Sequence, residues 1–334
     1  MSQEVAALVA RLGERFGGGV ALAEPATSKG EGFDSDVYLV RFSGAALPDE
    51  WRRPLVLRVK SDAERLEEAQ LEAATQAWLA DRGYPAPRVL EVFAPGALVD
   101  RPAQVMERAP GALMLDRVVS KPWRALGAVR QLASLHVQLH TMATDDFPAG
   151  DDLLDRRLRL PRHAAEELGN EALRAGLDRV VALAPRLRDS PPSVCHGDFH
   201  PLNVLLDGDR AMVIDWTDAG IGDRHGDVAR TLVLFDVAAI AASNAAERLA
   251  LRAAGPRLGN MYRRAYQRAL PLDPDRVNLW KPVHLLHGWS QVLSLHAGLF
   301  DRGVDHDDRH DRVPPAMVTE LERRFQAALA HASP

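Results

Sequence analysis

Cysteine is almost missing from the 334-residue chain, where Cys195 stands alone. One thiol excludes an intramolecular disulfide framework and any metal site built on several cysteines, and it fits a reducing, cytoplasmic compartment. An excess of positive charge is missing too. Lys and Arg number 41 against 46 Asp and Glu, a net charge of −5, so no overall basic field exists to hold a nucleic-acid backbone or an anionic membrane. Long apolar runs are also lacking: the longest, near Thr231 to Ala242, is interrupted by Asp236 and is too short to cross a bilayer. No internal repeat or low-complexity tract is present, although 245–255 is rich in Ala and Arg. The expectation is a soluble protein without nucleic-acid or membrane partners, its oligomeric state left open. Residues 1–16 set Val5, Leu8, Val9 and Leu12 at helical spacing among Glu4, Arg11, Glu14 and Arg15. That reads as an amphipathic helix stopped by Gly17-Gly18-Gly19, and not as an export signal.

At about 150 residues per domain the length suggests roughly two domains. Short β-like runs dominate the first hundred or so residues, and almost everything after Met114 outside one central segment is helical in period. The fold class expected is α+β, with a small β-rich N-terminal lobe and a larger, mostly helical C-terminal lobe. Val37 to Val40 and Leu55 to Val59 read as strands by their β-branched and aromatic content. Ser61, with Glu64 three residues on, reads as a capping box opening a helix that runs through Leu71, Trp78 and Leu79 to Gly83, where Tyr84-Pro85-Ala86-Pro87 stops it. A strand at Gln104-Val105-Met106 leads into the turn-former Ala109-Pro110-Gly111. The boundary is placed there: an N-terminal lobe over 1–109, a hinge near 105–111 and a C-terminal lobe over 110–334. Pro122 to Met142 reads as a helix carrying Trp123, Leu126, Leu132, Leu135 and Leu139 on one stripe, with further helices in 150–188, 227–270, 276–299 and 314–332.

Chemistry concentrates in Ser193 to Trp216. Val204 to Leu206 and Ala211 to Ile214 are apolar runs joined across Asp207-Gly208-Asp209-Arg210, a hairpin signal. Asp198 and Asn203 stand five positions apart, the spacing of the kinase catalytic loop, in which the Asp orients the acceptor hydroxyl and the Asn holds Mg²⁺. Asp215, ending the second run, takes the place of the second metal-binding carboxylate. Phosphoryl transfer needs such a set because hard oxygen ligands must fix Mg²⁺ against the phosphates while another carboxylate positions the attacking oxygen. Each of the three taken singly has a plainer reading as a strand-end cap or turn residue.

His196-Gly197-Asp198-Phe199-His200-Pro201-Leu202-Asn203, then Ile214-Asp215-Trp216, Gly222-Asp223 and Asp227-Val228-Ala229-Arg230, resembles the signature of the aminoglycoside phosphotransferase family, which includes choline-kinase-like and macrolide kinases. The resemblance extends from about residue 25 to 235. Gly32 to Tyr38 is similar to that family's phosphate-covering hairpin, Val56-Leu57-Arg58 to its cofactor-contacting strand, Gly83 to Arg88 to its Gly-x-Pro-x-Pro turn, and Val105 to Gly111 to its hinge. It implies a two-lobed protein-kinase-like fold, ATP or GTP with Mg²⁺ as cofactors, and a small hydroxylated molecule as the partner that accepts the γ-phosphoryl group. Carried over by position, Asp198 is the catalytic base, Asn203 and Asp215 are Mg²⁺ ligands, and His196 and Asp227 brace the loop. The cofactor-binding set is Ser35, Arg58, Lys60, Glu72 and the hinge residues Met106, Glu107 and Arg108. His200 either faces the acceptor or is structural.

The chain departs from the family where a strand lysine is usual, since the matching position is Arg58, with Lys60 on the same strand face. Arg binds phosphate bidentately and keeps its charge. If Arg58 has the role, Lys60 is expected to be a solvated charge of little consequence, and the glutamate partner is Glu72 by counting back from Gly83, or Glu68 by its place on the apolar stripe. Gly30-Glu31-Gly32 does not complete a G-x-G-x-x-G. The block Asp305 to Asp311 reads as a solvated loop or as part of the acceptor cleft, and Trp280, His284, His287 and Trp289 read as core. Two rival readings remain: a catalytically silent nucleotide-binding module, against which the complete Asp198, Asn203 and Asp215 set argues, and a metallohydrolase, disfavoured because no histidine pair at helical spacing adjoins a carboxylate base.

Overall fold

The computed structural model describes residues 1–31, 35–148, 150, 152–241, 244–299 and 315–332. Two compact units emerge, Met1–Leu113 with Val204–Thr217, and Met114–Asn203 with Asp218–Pro334. Strands dominate the first and helices the second, as the two sequence periodicities require.

In the first unit an antiparallel sheet runs in the order Thr27–Glu31, Ser35–Val40, Leu55–Lys60, Ala103–Glu107, Val89–Phe93. Leu55–Lys60 is central, paired on one edge with Ser35–Val40 and on the other with Ala103–Glu107. Alternation along it sends Leu55, Leu57 and Val59 into a core shared with Val5, Leu8 and Leu12 of the helix Gln3–Phe16 and with Ala103 and Val105. The opposite face therefore carries Val56, Arg58 and Lys60, which is how a core strand presents cations together. The helix after it differs from the sequence reading. Asp62, and not Ser61, caps a short 3₁₀ turn Ala63–Arg65 by accepting from the Glu64 N–H, and the α-helix proper is Leu66–Asp81. The hairpin Val204–Asp207 and Arg210–Val213 belongs to this unit because Leu205 and Leu206 pair with Leu113 and Ala112. Gly111 has φ 93° and a Cβ there would lie 2.0 Å from the Leu206 carbonyl oxygen, so the turn admits only glycine.

The second unit packs the helices Ala125–His140, Leu153–Glu167, Arg224–Val237, Ala245–Ala269, Pro274–His296 and Pro315–Ala332. A two-stranded ribbon, Ser193–Cys195 with Gly220–Gly222, holds the ends of the segment that carries the chemistry. One expectation fails here: Leu132, Leu135 and Leu139 are buried, but Trp123 is 76% and Leu126 44% exposed. Pro122–Arg124 forms a separate 3₁₀ turn, and at about 100° per residue Leu126 falls on the far side of the helix from the three buried leucines. Trp280, His284 and Trp289 are core, as expected, while His287 is half-buried. No helix among the described residues is long and apolar enough to cross a membrane. Gly32 to Asp34 of the expected phosphate-covering hairpin and the block Asp305 to Asp311 lie outside the described residues.

Candidate active site

In the first unit the cations converge on one carboxylate. Glu72 Oε1 accepts from Arg58 Nη1 at 2.6 Å and Glu72 Oε2 from Lys60 Nζ at 2.9 Å, while Lys60 also reaches Glu68 Oε1 at 3.1 Å. Burial alone would raise the Glu72 pKa, but Arg58 and Lys60 hold it below the usual carboxylate range. Glu72 is thus the Arg58 partner, and Glu68 contributes to Lys60. Lys60 is 0% exposed, which corrects the expectation of a solvated charge: the sheet's cation face is covered by the helix Leu66–Asp81 at that point. Ser35 Oγ accepts from Arg58 Nε at 2.8 Å, so Ser35 orients the guanidinium. The remaining nitrogen of Arg58, Nη2, lies 3.3 Å from Asp215 Oδ1.

Asp215 sits just after the strand Arg210–Val213 with φ 65°, one of two described non-glycine residues with positive φ. A left-handed aspartate is strained, and such strain concentrates at functional positions. Trp216 fixes it by donating from Nε1 to the Val213 carbonyl and standing edge-on to Tyr84. At the hinge, the N–H groups of Glu107 and Arg108 are committed to the carbonyls of Arg88 and Pro54. What the hinge can offer a ligand is its carbonyls and side chains, with Met106 buried beside them.

In the second unit the polar cluster is built from one loop. Gly197, at φ 82°, lies so close to Asp218 that a Cβ would stand 2.4 Å from the Asp218 carbonyl oxygen. The Asp198 carboxylate is held from both ends, Oδ1 by Arg230 Nε at 2.9 Å and Oδ2 by His200 Nε2 at 3.1 Å. Burial would raise its pKa, but Arg230, then His200 and Arg157, keep it well below the ordinary value. Asn203 donates from its amide nitrogen to the Asp198 carbonyl at 2.9 Å, and its oxygen is a hard ligand by type.

Asp227 fastens this loop. Its oxygens accept the backbone N–H of His196 at 2.6 Å and of Gly197 at 2.9 Å, so the brace grips main chain and not the His196 ring. That ring's Nδ1 instead accepts from the Asp198 N–H. Asp227 also accepts from Nε2 of His136 and His140 at 3.0 and 3.2 Å, and Nδ1 of each ring accepts from a tyrosine hydroxyl, Tyr262 and Tyr266. The donors present require this tautomer. Burial pushes both imidazoles down, His140 to about 3, against the opposing pull of Asp227. The ligand atoms of His136, His140 and Asp227 lie within 4.8 Å of one another. The hydrogen bonds just given occupy these atoms, so the cluster is a closed network of two neutral imidazoles around an ionised carboxylate.

The profile of the phosphotransferase enzyme family matches residues 27–280. The chain belongs to that family. An aminoglycoside 3'-phosphotransferase from Streptomyces fradiae is 33% identical over 177 residues, 47% of this chain and 61% of the relative. The chain thus spans about three fifths of that curated relative's length. Among solved structures, aminoglycoside phosphotransferase APH(4)-Ia in ternary complex with ADP and hygromycin B has a TM-score of 0.57 at 20% identity, covering 98% of this chain and 99% of that one. Amicoumacin kinase, with AMP-PNP, Ca²⁺ and its antibiotic, has a TM-score of 0.61 at 15% identity, covering 91% and 89%. The α+β, protein-kinase-like fold expected from the sequence is the fold of this phosphotransferase family.

Sequence reasoning missed Arg157, Asp218 and the histidine pair His136 and His140. The i, i+4 spacing of the pair on Ala125–His140 was a visible signal, but its carboxylate partner lies on another helix. Arg157 gave no signal, being one arginine among several in Leu153–Glu167.

Proposed function

We propose that this phosphotransferase family member is a small-molecule kinase, transferring the γ-phosphoryl group of ATP or GTP to a hydroxyl of an antibiotic or a small metabolite. In the transfer a bond forms from the acceptor oxygen to phosphorus, the bond from phosphorus to the β,γ-bridging oxygen breaks, and the hydroxyl proton is released. The observation that carries this reading is the loop from His196 to Asn203, where one turn holds the Asp198 carboxylate at both oxygens and ties the Asn203 amide nitrogen to the Asp198 carbonyl. Asn203 and Asp215 supply hard oxygens of the kind Mg²⁺ takes, and that ion would neutralise charge on the phosphates. Arg58 is read as the phosphate contact. Phosphate oxygens would replace its present contact with Asp215, leaving that carboxylate to the metal. The N-terminal lobe up to the hinge near 105–111 is read as nucleotide-binding and the rest as catalytic and acceptor-binding, working in the cytoplasm on a soluble acceptor.

The test is nucleotide consumption by the full chain with Mg²⁺ over a panel of aminoglycosides, peptide antibiotics, macrolides, amino alcohols and sugars, with phosphate incorporation read by mass spectrometry. Stimulation by one chemotype, with an 80 Da gain on the acceptor (the mass of HPO₃), supports the kinase. Tight Mg²⁺-nucleotide binding with no turnover on any acceptor would favour a silent nucleotide-binding module.

A further inference from the structure

Two arginines approach the loop from different helices, and the reading above gives neither a role in the transfer. Along the helix Arg224–Val237 the residues Asp227, Arg230 and Thr231 fall at i, i+3 and i+4 and so share a face. They take hold of consecutive loop residues: Asp227 the N–H groups of His196 and Gly197, Arg230 the Asp198 carboxylate, and Thr231 Oγ1 the Phe199 carbonyl at 2.7 Å. From the helix Leu153–Glu167 comes Arg157, 1% exposed, whose Nη2 donates to the Gly197 carbonyl and, at 2.7 Å, to Asp218 Oδ2. Its Nε–H finds no partner among the described residues. His287 donates to the Arg157 carbonyl at 3.1 Å, fixing that helix from the helix Pro274–His296.

We propose that Arg230 and Arg157 are positioning residues for phosphoryl transfer: Arg230 locks the Asp198 carboxylate in one orientation through Oδ1, and Arg157 pins the Gly197 turn against Asp218, so that Oδ2, which also accepts from His200, is the oxygen that meets the acceptor hydroxyl. The inference rests on the kinase reading for its functional meaning, and on geometry for its structural content. A carboxylate on a glycine turn has free rotation unless something bonds one oxygen, and reacting groups must be held to a fraction of an ångström, since a misplacement of about 1 Å can cost ~10²-fold in rate. The Arg230 bond at Oδ1 supplies that restraint for Asp198.

The experiment is steady-state kinetics in the full chain, comparing Arg230→Gln, Arg230→Lys and Arg157→Lys, with crystal structures of the parent and Arg230→Gln. Turnover should fall ~10²-fold in Arg230→Gln at an unchanged nucleotide KM, and recover in part with lysine. Arg157→Lys should give the same pattern, smaller. In the Arg230→Gln crystal the Asp198 carboxylate should leave its present orientation. A carboxylate that keeps it, or a turnover loss matched by a rise in nucleotide KM, overturns the proposal. Should Arg157→Lys not fold, the two Arg230 variants decide alone. The crystal structures need no acceptor, so a rotated carboxylate without phosphoryl transfer by the parent would sink the kinase reading and leave the clamp standing.

Discussion

Glu72 in the N-terminal unit and Asp227 in the C-terminal unit are both buried carboxylates on helices, yet they are stabilised in opposite ways. Glu72 lies between two full cations, Arg58 and Lys60. Asp227 is surrounded by neutral donors, two imidazoles and two backbone amides. The cation arrangement suits a group that can exchange partners, because Arg58 already spreads over Ser35, Glu72 and Asp215 and a further anion would be of the same kind. Neutral donors suit a group that must not move, since none is drawn away by an arriving charge. The half of the chain in the first unit is thus built to exchange partners and the half in the second to stay fixed.

The sharpest way to break the fixed half is at the residue it holds. Asp198→Asn keeps the shape and removes the charge, and turnover is expected to fall ~10²–10⁴-fold, with Mg²⁺-nucleotide affinity close to the parent's. Unchanged kcat would end the assignment of Asp198. In the exchangeable half the two cations should separate. Lys60→Met leaves Glu72 with Arg58 only and should destabilise by about 3 kcal/mol, the low end for breaking a buried pair, read from the urea midpoint. Arg58→Ala should instead raise the nucleotide KM and lower kcat. A larger nucleotide defect in Lys60→Met than in Arg58→Ala would reverse the assignment. Smaller again, Asp215→Ala is expected to weaken Mg²⁺-dependent nucleotide binding by at least ~10-fold, since even outer partners of a metal cost that much. Calorimetry showing parent-like affinity would remove Asp215 from the ligand set.

Much of the fixed half was legible because it is local. Asp198 and Asn203 are spaced by one loop, and the hairpin after them was visible in two apolar runs around Asp207-Gly208. The Arg58 to Glu72 pair was legible through register, as the alternation of Leu55–Lys60 puts Arg58 and Lys60 on one face. What register could not say is that a helix covers Lys60, because burial depends on what packs over a face and not on the face itself. The same limit hid Arg157 and the two histidines, whose partners lie far along the chain. Trp123 and Leu126 leave the stripe for different reasons: Trp123 lies in a separate 3₁₀ turn, and Leu126, in the same helix as the three leucines, falls on its far side at about 100° per residue.

The smallest expected effect concerns the neutral imidazoles around Asp227 and takes the form of a pH dependence. His140 has its pKa pushed down to about 3 by burial and by His136, against about 6.5 in an unfolded chain. Between those values the unfolded state binds the proton and the native state does not, so stability is complete above pH 6.5 and is lost as pH falls towards 3. From pH 7 to 5.5 the loss from His140 alone should be about 1 kcal/mol. His140→Gln keeps an N–H donor for Asp227 and cannot titrate, so its urea midpoint should fall less than the parent's over the same interval. The Asp227 carboxyl, held well below its ordinary range, titrates outside this window. If His140 were instead a cation paired with Asp227, its folded pKa would stand above 6.5 and the parent would gain stability on acidification relative to the variant. The sign of the change in the difference between the two urea midpoints from pH 7 to 5.5 therefore decides whether Asp227 is held by neutral donors or by charge.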